Sequence, residues 1–275
     1  MNLWGSFLKL LDTRLTAVPS LYGLFHIISL ILTVLLTVAL CVFFAKKDKS
    51  DLVRRIVFAV SLFVFVLEIL KKINYSSNIT ETGVVWDFVW HAFPFQFCSL
   101  PMYVGILQGI IKKGKVHDAL VSFLATYAIF AGLCVMLYPG NVFTSNAFIC
   151  VQTMICHGTM IALGIYLMYS GRAKVEHKTI LKAMCIFGVA IVCAIALNEI
   201  LYATGISHEG DAFNMFYISR HFPSTLPLYS LVHNVVPFPL NIVIYFIGFS
   251  LAAYIILLVS MGIKKLSGII VKKSK

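Results

Sequence analysis

Two side chains that could carry nucleophilic chemistry stand inside apolar stretches of this sequence. Cys98 lies in the run FPFQFCSLP, residues 93–101, and His157 lies in the run CHG, residues 156–158. A thiolate attacks carbonyl carbons, and an imidazole can take the proton of a thiol. For Cys98 alone, packing as a small apolar side chain is the stronger interpretation. For His157, a base and a histidine bonded to a neighbouring helix are equal alternatives.

Further polar side chains share the depth of Cys98 and His157 in the predicted helices. Such groups are costly in a bilayer unless they are paired, so we predict that they line one pocket that opens outward. His91 and Cys98 are seven residues apart and share a helix face, whereas Gln96 points away and Pro101 bends the helix. Glu68 is expected to form an ion pair with Lys71 or Lys72 at the membrane interface. The predicted binding residues are Glu68, His91, Gln96, Gln152, Asn198, Glu199 and Asn214.

The elements that must position these residues are membrane-spanning helices. The chain has 275 residues, of which 60% are hydrophobic and 12% charged, and its mean hydropathy is +0.93. This composition excludes a soluble domain, and runs of about 20 apolar residues predict helices that cross the bilayer. We therefore predict an all-α bundle of seven transmembrane helices, in one membrane domain over residues 1–275. The predicted spans are residues 24–44, 56–74, 91–111, 119–138, 148–169, 180–203 and 236–261.

The distribution of basic residues predicts the orientation of the bundle. Of the 22 lysines and arginines, 17 lie in the segments 45–55, 112–116, 170–182 and 262–275, which are alternate connections. The positive-inside rule then places the N-terminus outside and the C-terminus in the cytoplasm of a cell-membrane protein. We attribute the net charge of +11 to the basic residues of these connections, which set the orientation and attract anionic lipid. We do not attribute it to nucleic-acid binding.

The segments outside the spans predict two accessory elements. Residues 1–18 could form an interfacial helix, and residues 204–235 form an outer loop whose aromatic and proline content suits a lid. A metal site in this loop is a weak alternative, because its spacing matches no standard site, and we predict neither a metal nor a cofactor. The seven cysteines all fall inside predicted spans, so no disulfide framework is implied. The loop's candidate metal ligands are His208, Glu209, Asp211, His221 and His233.

A series of short motifs resembles a known membrane family. The motifs are FPFQFCSLPM, LYPG, CHG, NEILYATG and DAFNMF, in this order. Together they resemble the YwaF-like bacterial integral membrane proteins, which are similar to a eukaryotic cysteine-dependent transmembrane phospholipid acyltransferase. The resemblance implies that Cys98 is the nucleophile and His157 its associated histidine. Gln96 stands where the bacterial pattern often has histidine, so His157 or His91 would supply the base, or the chemistry would be altered.

Acyl transfer between membrane phospholipids and lysophospholipids is the function that this resemblance implies. A thiol below the outer boundary can meet the ester carbonyl of an outer-leaflet phospholipid, and the amide of Gln96 or Asn198 could meet the oxyanion. The equal alternative is a non-enzymatic seven-helix protein that binds or transports a lipid or small molecule, in which Cys98 only packs. A structural or assembly partner is a third interpretation. The sequence sets no oligomeric state.

Overall fold

The chain is built mainly from helices. The computed structural model describes residues 3–45, 50–81, 83–140, 142–206 and 211–273. A short turn of 3-10 helix, Met215–Tyr217, lies within residues 204–235. The helices are α1 Leu3–Leu11, α2 Leu24–Phe44, α3 Ser50–Ser76, α4 Leu100–Ile110, α5 Lys115–Leu137, α6 Ala147–Tyr169, α7 Lys178–Ala203, α8 Tyr229–His233 and α9 Leu240–Lys273.

Five of these helices are long and apolar enough to cross a membrane. They are α2, α5, α6, α7 and the Leu240–Leu266 part of α9. Each falls on a predicted span, and the first agrees with residues 24–44 at both ends. Helices form here because the backbone of a spanning segment must satisfy its own polar groups. Most side chains of α2 are apolar and exposed, which is the surface expected of a helix that faces lipid.

The second and third predicted spans have a different outcome. Residues 56–74 lie within α3, which has 27 residues but carries Glu68, Lys71 and Lys72 and is less apolar than the five. The prediction of one helix over residues 91–111 is wrong, because only Leu100–Ile110 is helical. Pro101 therefore does not bend the middle of a helix. It occupies the first turn of α4, where its missing N–H costs nothing.

A small hairpin departs from the all-α prediction. Strand β1 is Ser77–Thr80 and strand β2 is Gly83–Trp86. They pair antiparallel, with Ser77 opposite Trp86 and Thr80 opposite Gly83. The hairpin continues directly from the end of α3. It leads the chain into residues 87–99, which are not helical.

The helices pack around α5 and α6. α6 contacts α2, α3 and α5, and α5 also contacts α4, α7 and α9. Asn146 begins α6, because its side-chain oxygen accepts a hydrogen bond from the Ile149 N–H at 3.0 Å. Gly114 turns the chain from α4 into α5 at a φ of +105°, which a glycine adopts without strain. The buried core of this arrangement includes Tyr127 and Tyr166.

Candidate functional site

Cys98 belongs to residues 87–99, which precede α4 and enter the bundle without forming a helix or a strand. Its backbone turns are closed by hydrogen bonds from Phe95 N to Phe93 O and from Ser99 N to Gln96 O. The ring of Phe97 packs against Phe187 and Phe249, at centroid distances of 5.5 and 4.9 Å. Cys98 is half-buried in the same apolar cluster. The thiol therefore lies just before the N-terminus of α4, where the packed ring of Phe97 holds the chain in place.

The contacts between α3 and α4 follow an antiparallel register. A Cβ atom added at Gly109 would meet the ring of Phe58, and one added at Gly105 would meet the hydroxyl of Ser61. One turn further, the rings of Phe65 and Tyr103 lie 6.0 Å apart. Each turn toward the C-terminus of α3 is matched by a turn toward the N-terminus of α4. This register places the first turn of α4, which begins two residues after Cys98, beside the turn of α3 that carries Glu68.

Glu68 and Lys71 form an ion pair inside the bundle. The Lys71 ammonium group contacts one oxygen of the Glu68 carboxylate, and the Gln152 amide donates to the other at 2.8 Å. Only 3% of the Glu68 surface is exposed. Glu68 is therefore buried, 21% of the Lys71 side chain is exposed, and of the two lysines that the sequence offered as partners it is Lys71 that forms the pair. Lys72 does not join it, since its ammonium group contacts the Val89 carbonyl and lies 3.7 Å from the centre of the Phe88 ring.

The Glu68–Lys71 pair lies within electrostatic range of two thiols. Cys98 and Cys156 each interact with both charges and with each other. Cys156 belongs to the apolar cluster against which Cys98 packs. A helix turns by about 100° per residue, so Cys156 lies about 40° around α6 from Gln152. The face of α6 that carries both residues therefore looks toward α3.

His157 lies on a different face of α6. It stands about 140° from Gln152 around the helix. Its Nδ1 atom hydrogen-bonds the Thr153 carbonyl at 2.7 Å, and its buried Nε2 atom has no hydrogen-bond partner. Because a carbonyl only accepts, the neutral ring carries its hydrogen on Nδ1 and a lone pair on Nε2. Neither ring nitrogen hydrogen-bonds Cys98, so the predicted dyad is not formed in this structure.

Three predicted binding residues hold the outer loop. The Gln96 amide donates to Asn214 O at 3.0 Å and accepts from Phe216 N at 2.8 Å. The Asn198 amide donates to Met215 O at 3.1 Å and accepts from Met215 N at 2.7 Å. Asn214 closes the turn by accepting from the Ser219 N–H at 2.9 Å. These amides are engaged by backbone, and Met215 and Phe216 are buried among the helices.

The two remaining predicted binding residues, His91 and Glu199, contact charged side chains of this loop. His91 and Trp90 donate their backbone N–H groups to the Asp211 carboxylate at 2.7 Å, and His91 Nδ1 lies 2.8 Å from it. Partial burial acts to raise the pKa of Asp211, but these hydrogen bonds outweigh it and lower that pKa. Glu199 binds Arg220 at 2.7 Å and His221 at 3.0 Å.

The weak metal alternative gains no support from the described residues. Asp211 pairs with His91, and His221 pairs with Glu199. Among the residues that the structure describes, no group of three or more histidine, cysteine or acidic side chains is placed to hold a metal ion. His208 and Glu209 lie outside the described residues.

A polar cleft lies apart from all of these residues. Its volume is about 390 Å³, and Asp12, Arg14, Asn74 and Asn146 are among its lining residues. None of the predicted site residues lines it. The chemistry expected of Cys98 therefore does not belong to this cleft.

Fold and site define the class of this protein. Several apolar helices of membrane length, with a buried ion pair and amides satisfied inside the bundle, make it a helical integral membrane protein. The chain belongs to the TMEM164 family, which it matches over residues 21–261. It matches no curated protein and no solved structure.

Sequence reasoning missed some groups near Cys98. Lys71 was assigned to the interface, and Cys156, Tyr217 and Tyr245 were given no role. Both tyrosines interact electrostatically with Cys98. One signal was available, because Lys71 follows Glu68 by three residues in an apolar helix, and a charge that is buried there needs a counter-ion. The tyrosines carried no such signal, since their approach depends on the tertiary fold.

Proposed function

We propose that this protein is a cell-membrane phospholipid acyltransferase that works through a thioester on Cys98. The resemblance of its motifs to the YwaF-like proteins implies this activity. The observation that carries it is the position of Cys98, which lies inside an apolar cluster, two residues before the end of α4 that packs beside the turn of α3 with Glu68. Charged pairs that are buried in a membrane bundle commonly mark functional sites.

The proposed reaction has two half-reactions, and in each of them one bond to the acyl carbon forms and one breaks. In the first, the Cys98 thiolate attacks the ester carbonyl carbon of a phospholipid, and the bond to the glycerol oxygen breaks. The lysophospholipid that leaves takes up the proton that the thiol lost. In the second, the hydroxyl group of another lysophospholipid attacks the thioester, the carbon–sulfur bond breaks, and the thiol regains its proton. The substrates supply every atom that is exchanged, so no cofactor is required.

The base predicted for this reaction is His157. Its Nε2 lone pair has no partner, which leaves it free to accept a proton. To act on Cys98 directly, however, the imidazole must approach the thiol more closely than it does here. Gln96 and Asn198 were predicted as oxyanion donors, and their side-chain N–H groups are bonded to the carbonyl groups of the outer loop. In our proposal these two residues hold the loop over the site, and the loop moves to admit lipid.

Reconstitution tests the activity directly. The purified protein in liposomes, supplied with an acyl-labelled phospholipid and an unlabelled lysophospholipid, should transfer the label. Cys98→Ala should abolish transfer because it removes the nucleophile. Cys156→Ala is the matched control, since it removes a neighbouring buried thiol and should retain transfer. Label transfer that survives in Cys98→Ala would rule out the proposed nucleophile.

A lipid- or small-molecule-binding or transport protein is the second candidate function. One observation favours it, namely that no hydrogen bond joins His157 to Cys98. On this alternative Cys98 only packs. A lipid that raises the thermal unfolding midpoint equally in wild type and Cys98→Ala, without an acyl adduct on wild type, would support binding over catalysis.

A further inference from the structure

Glu68 lies on the turn of α3 that packs beside the N-terminal end of α4, just after Cys98. Glu68 is held by Lys71 and by the Gln152 amide at 2.8 Å, so both carboxylate oxygens are engaged. A buried ion pair contributes little to stability over an apolar replacement of the same volume. Stability alone therefore gives no strong reason for charges at this depth, whereas chemistry at a neighbouring group does.

Lys71 is the cation among the described groups that interact electrostatically with Cys98. These groups come from four parts of the chain: Glu68 and Lys71 from α3, Cys156 from α6, Tyr217 from the outer loop and Tyr245 from α9. Independently of these interactions, the register between α3 and α4 brings the start of α4, two residues after Cys98, beside the turn of α3 that carries Glu68. The positive charge of Lys71 favours the thiolate of Cys98, whereas the negative charge of Glu68 favours the thiol.

We propose that Glu68 and Lys71 are the activating pair of Cys98, with Glu68 as the proton acceptor and Lys71 as the counter-ion of the thiolate. This inference rests on the proposed function, because it concerns the same nucleophile, and it gives Glu68 the role of base that the sequence predicted for His157. One proton moves from the Cys98 sulfur to the Glu68 carboxylate, and the ammonium group of Lys71 then faces the thiolate. The leaving lysophospholipid oxygen takes this proton, which returns Glu68 to its charged form.

The exchange of counter-ions keeps the number of buried charges constant. Before the transfer, Lys71 balances a carboxylate, and after it Lys71 balances a thiolate. Forming a new, unpaired ion in an apolar interior would be far more costly. Gln152 fits this role as a positioning residue, since its amide donates to the carboxylate oxygen that Lys71 leaves free.

Alkylation of Cys98 tests the inference without using acyl transfer. The full-length protein in liposomes is treated with N-ethylmaleimide between pH 6 and 9, and modification of the Cys98 peptide is followed by mass spectrometry. In Glu68→Gln, Lys71 keeps its charge and loses its partner, so Cys98 should react several-fold faster. In Glu68→Gln combined with Lys71→Met, the rate should fall about tenfold below that of wild type at neutral pH.

Opposite responses separate an electrostatic role from a structural one. A variant that merely loosens the bundle would speed the alkylation of buried Cys150 as well, and this peptide is read in the same digest. Lys71→Arg should retain most of the Cys98 rate, and Lys72→Met is the matched control that should leave it unchanged. Lys71→Arg and Glu68→Gln, which keep the cation, preserve the test if the double variant fails to fold.

The outcomes distinguish this inference from the proposed function. Equal Cys98 rates and pH profiles in wild type, Glu68→Gln and the double variant would overturn the activating pair, even if acyl transfer occurs. Rates that change as described, without any acyl transfer in reconstituted wild type, would retain the pair and refute the acyltransferase. In Glu68→Gln, acyl transfer should fall while alkylation rises, because the thiolate persists and the proton acceptor is gone.

Discussion

Polar side chains on two faces of α6 differ in their hydrogen-bond partners. On one face, Gln152 hydrogen-bonds Glu68, and Cys156 lies within electrostatic range of the Glu68–Lys71 pair. On the other, His157 bonds only to Thr153 of its own helix and leaves Nε2 without a partner. The first face joins α6 to α3 through charge and a hydrogen bond, whereas the second offers one unused lone pair. The chemistry of a membrane helix is therefore set by the face on which a residue lies as much as by its type.

The largest effect should come from breaking the charged face. Lys71→Ala leaves the Glu68 carboxylate buried without its cation, which should lower the free energy of unfolding by about 3 kcal/mol. Thermal unfolding in detergent micelles measures this loss. Glu68→Gln combined with Lys71→Met removes both charges and should recover most of it. A loss in Lys71→Ala no larger than in Lys72→Ala would show that the pair is not buried as described.

The next largest loss of stability should come from removing a buried amide, Asn198, in place of a buried charge. Asn198→Ala removes two hydrogen bonds to the Met215 backbone and leaves a buried N–H and a buried C=O unpaired. We expect a loss of about 2 kcal/mol, measured by thermal unfolding in micelles. Asn198→Asp keeps the acceptor but sets a buried carboxylate oxygen against the Met215 carbonyl, so it should lose at least as much. If Asn198→Ala is neutral, the outer loop is not held by this residue.

A smaller effect is expected outside the membrane, where an ion pair meets water. Asp211→Asn removes the charge that accepts hydrogen bonds from Trp90 and His91 and should cost about 1 kcal/mol at neutral pH. Because the pKa of Asp211 is lowered in the fold, its contribution is fully present above its ordinary value of 3.8. It is lost as the pH falls through the folded value. Unfolding midpoints of wild type and Asp211→Asn should therefore converge only below pH 3.8, and convergence at higher pH would contradict the lowered pKa.

The smallest effect should come from the face of α6 that carries His157. His157→Phe removes a buried nitrogen that has no partner, so the free energy of unfolding should change by less than about 1 kcal/mol. Alkylation of Cys98 should also stay at the wild-type rate. If instead both acyl transfer and Cys98 alkylation collapse in a folded His157→Phe, the imidazole approaches the thiol, and the contrast between the two faces is wrong.

Much of the fold could be predicted from hydrophobic patterning, because bilayer thickness sets the length of an apolar helix. Residues 24–44 and 148–169 were placed to within one residue at each end. Pattern alone failed at residues 91–99, where an aromatic-rich run has the composition of a span but closes into turns. There Phe97 packs among rings from two other helices, and this tertiary packing decides the backbone.

The site could be predicted only in part, for a different physical reason. Glu68 was identified because a charge in an apolar helix is costly. Its pairing with a lysine three residues later could be predicted from that local spacing. Its contact with Gln152 depends on how α3 packs against α6, and no local pattern encodes this. The pairing of Cys98 with His157 came from resemblance and residue type. It remains a prediction that depends on a closer approach than this structure has.

The intact mass of the protein taken from its membrane tests the central claim most directly. The account predicts an acyl-sized increment on wild type that hydroxylamine removes, because a thioester is the intermediate. Peptide mapping should place it on Cys98, and Cys98→Ala should lack it while Cys156→Ala retains it. An unmodified mass for wild type incubated with phospholipid in the absence of acceptor, or an increment that persists in Cys98→Ala, would contradict the account.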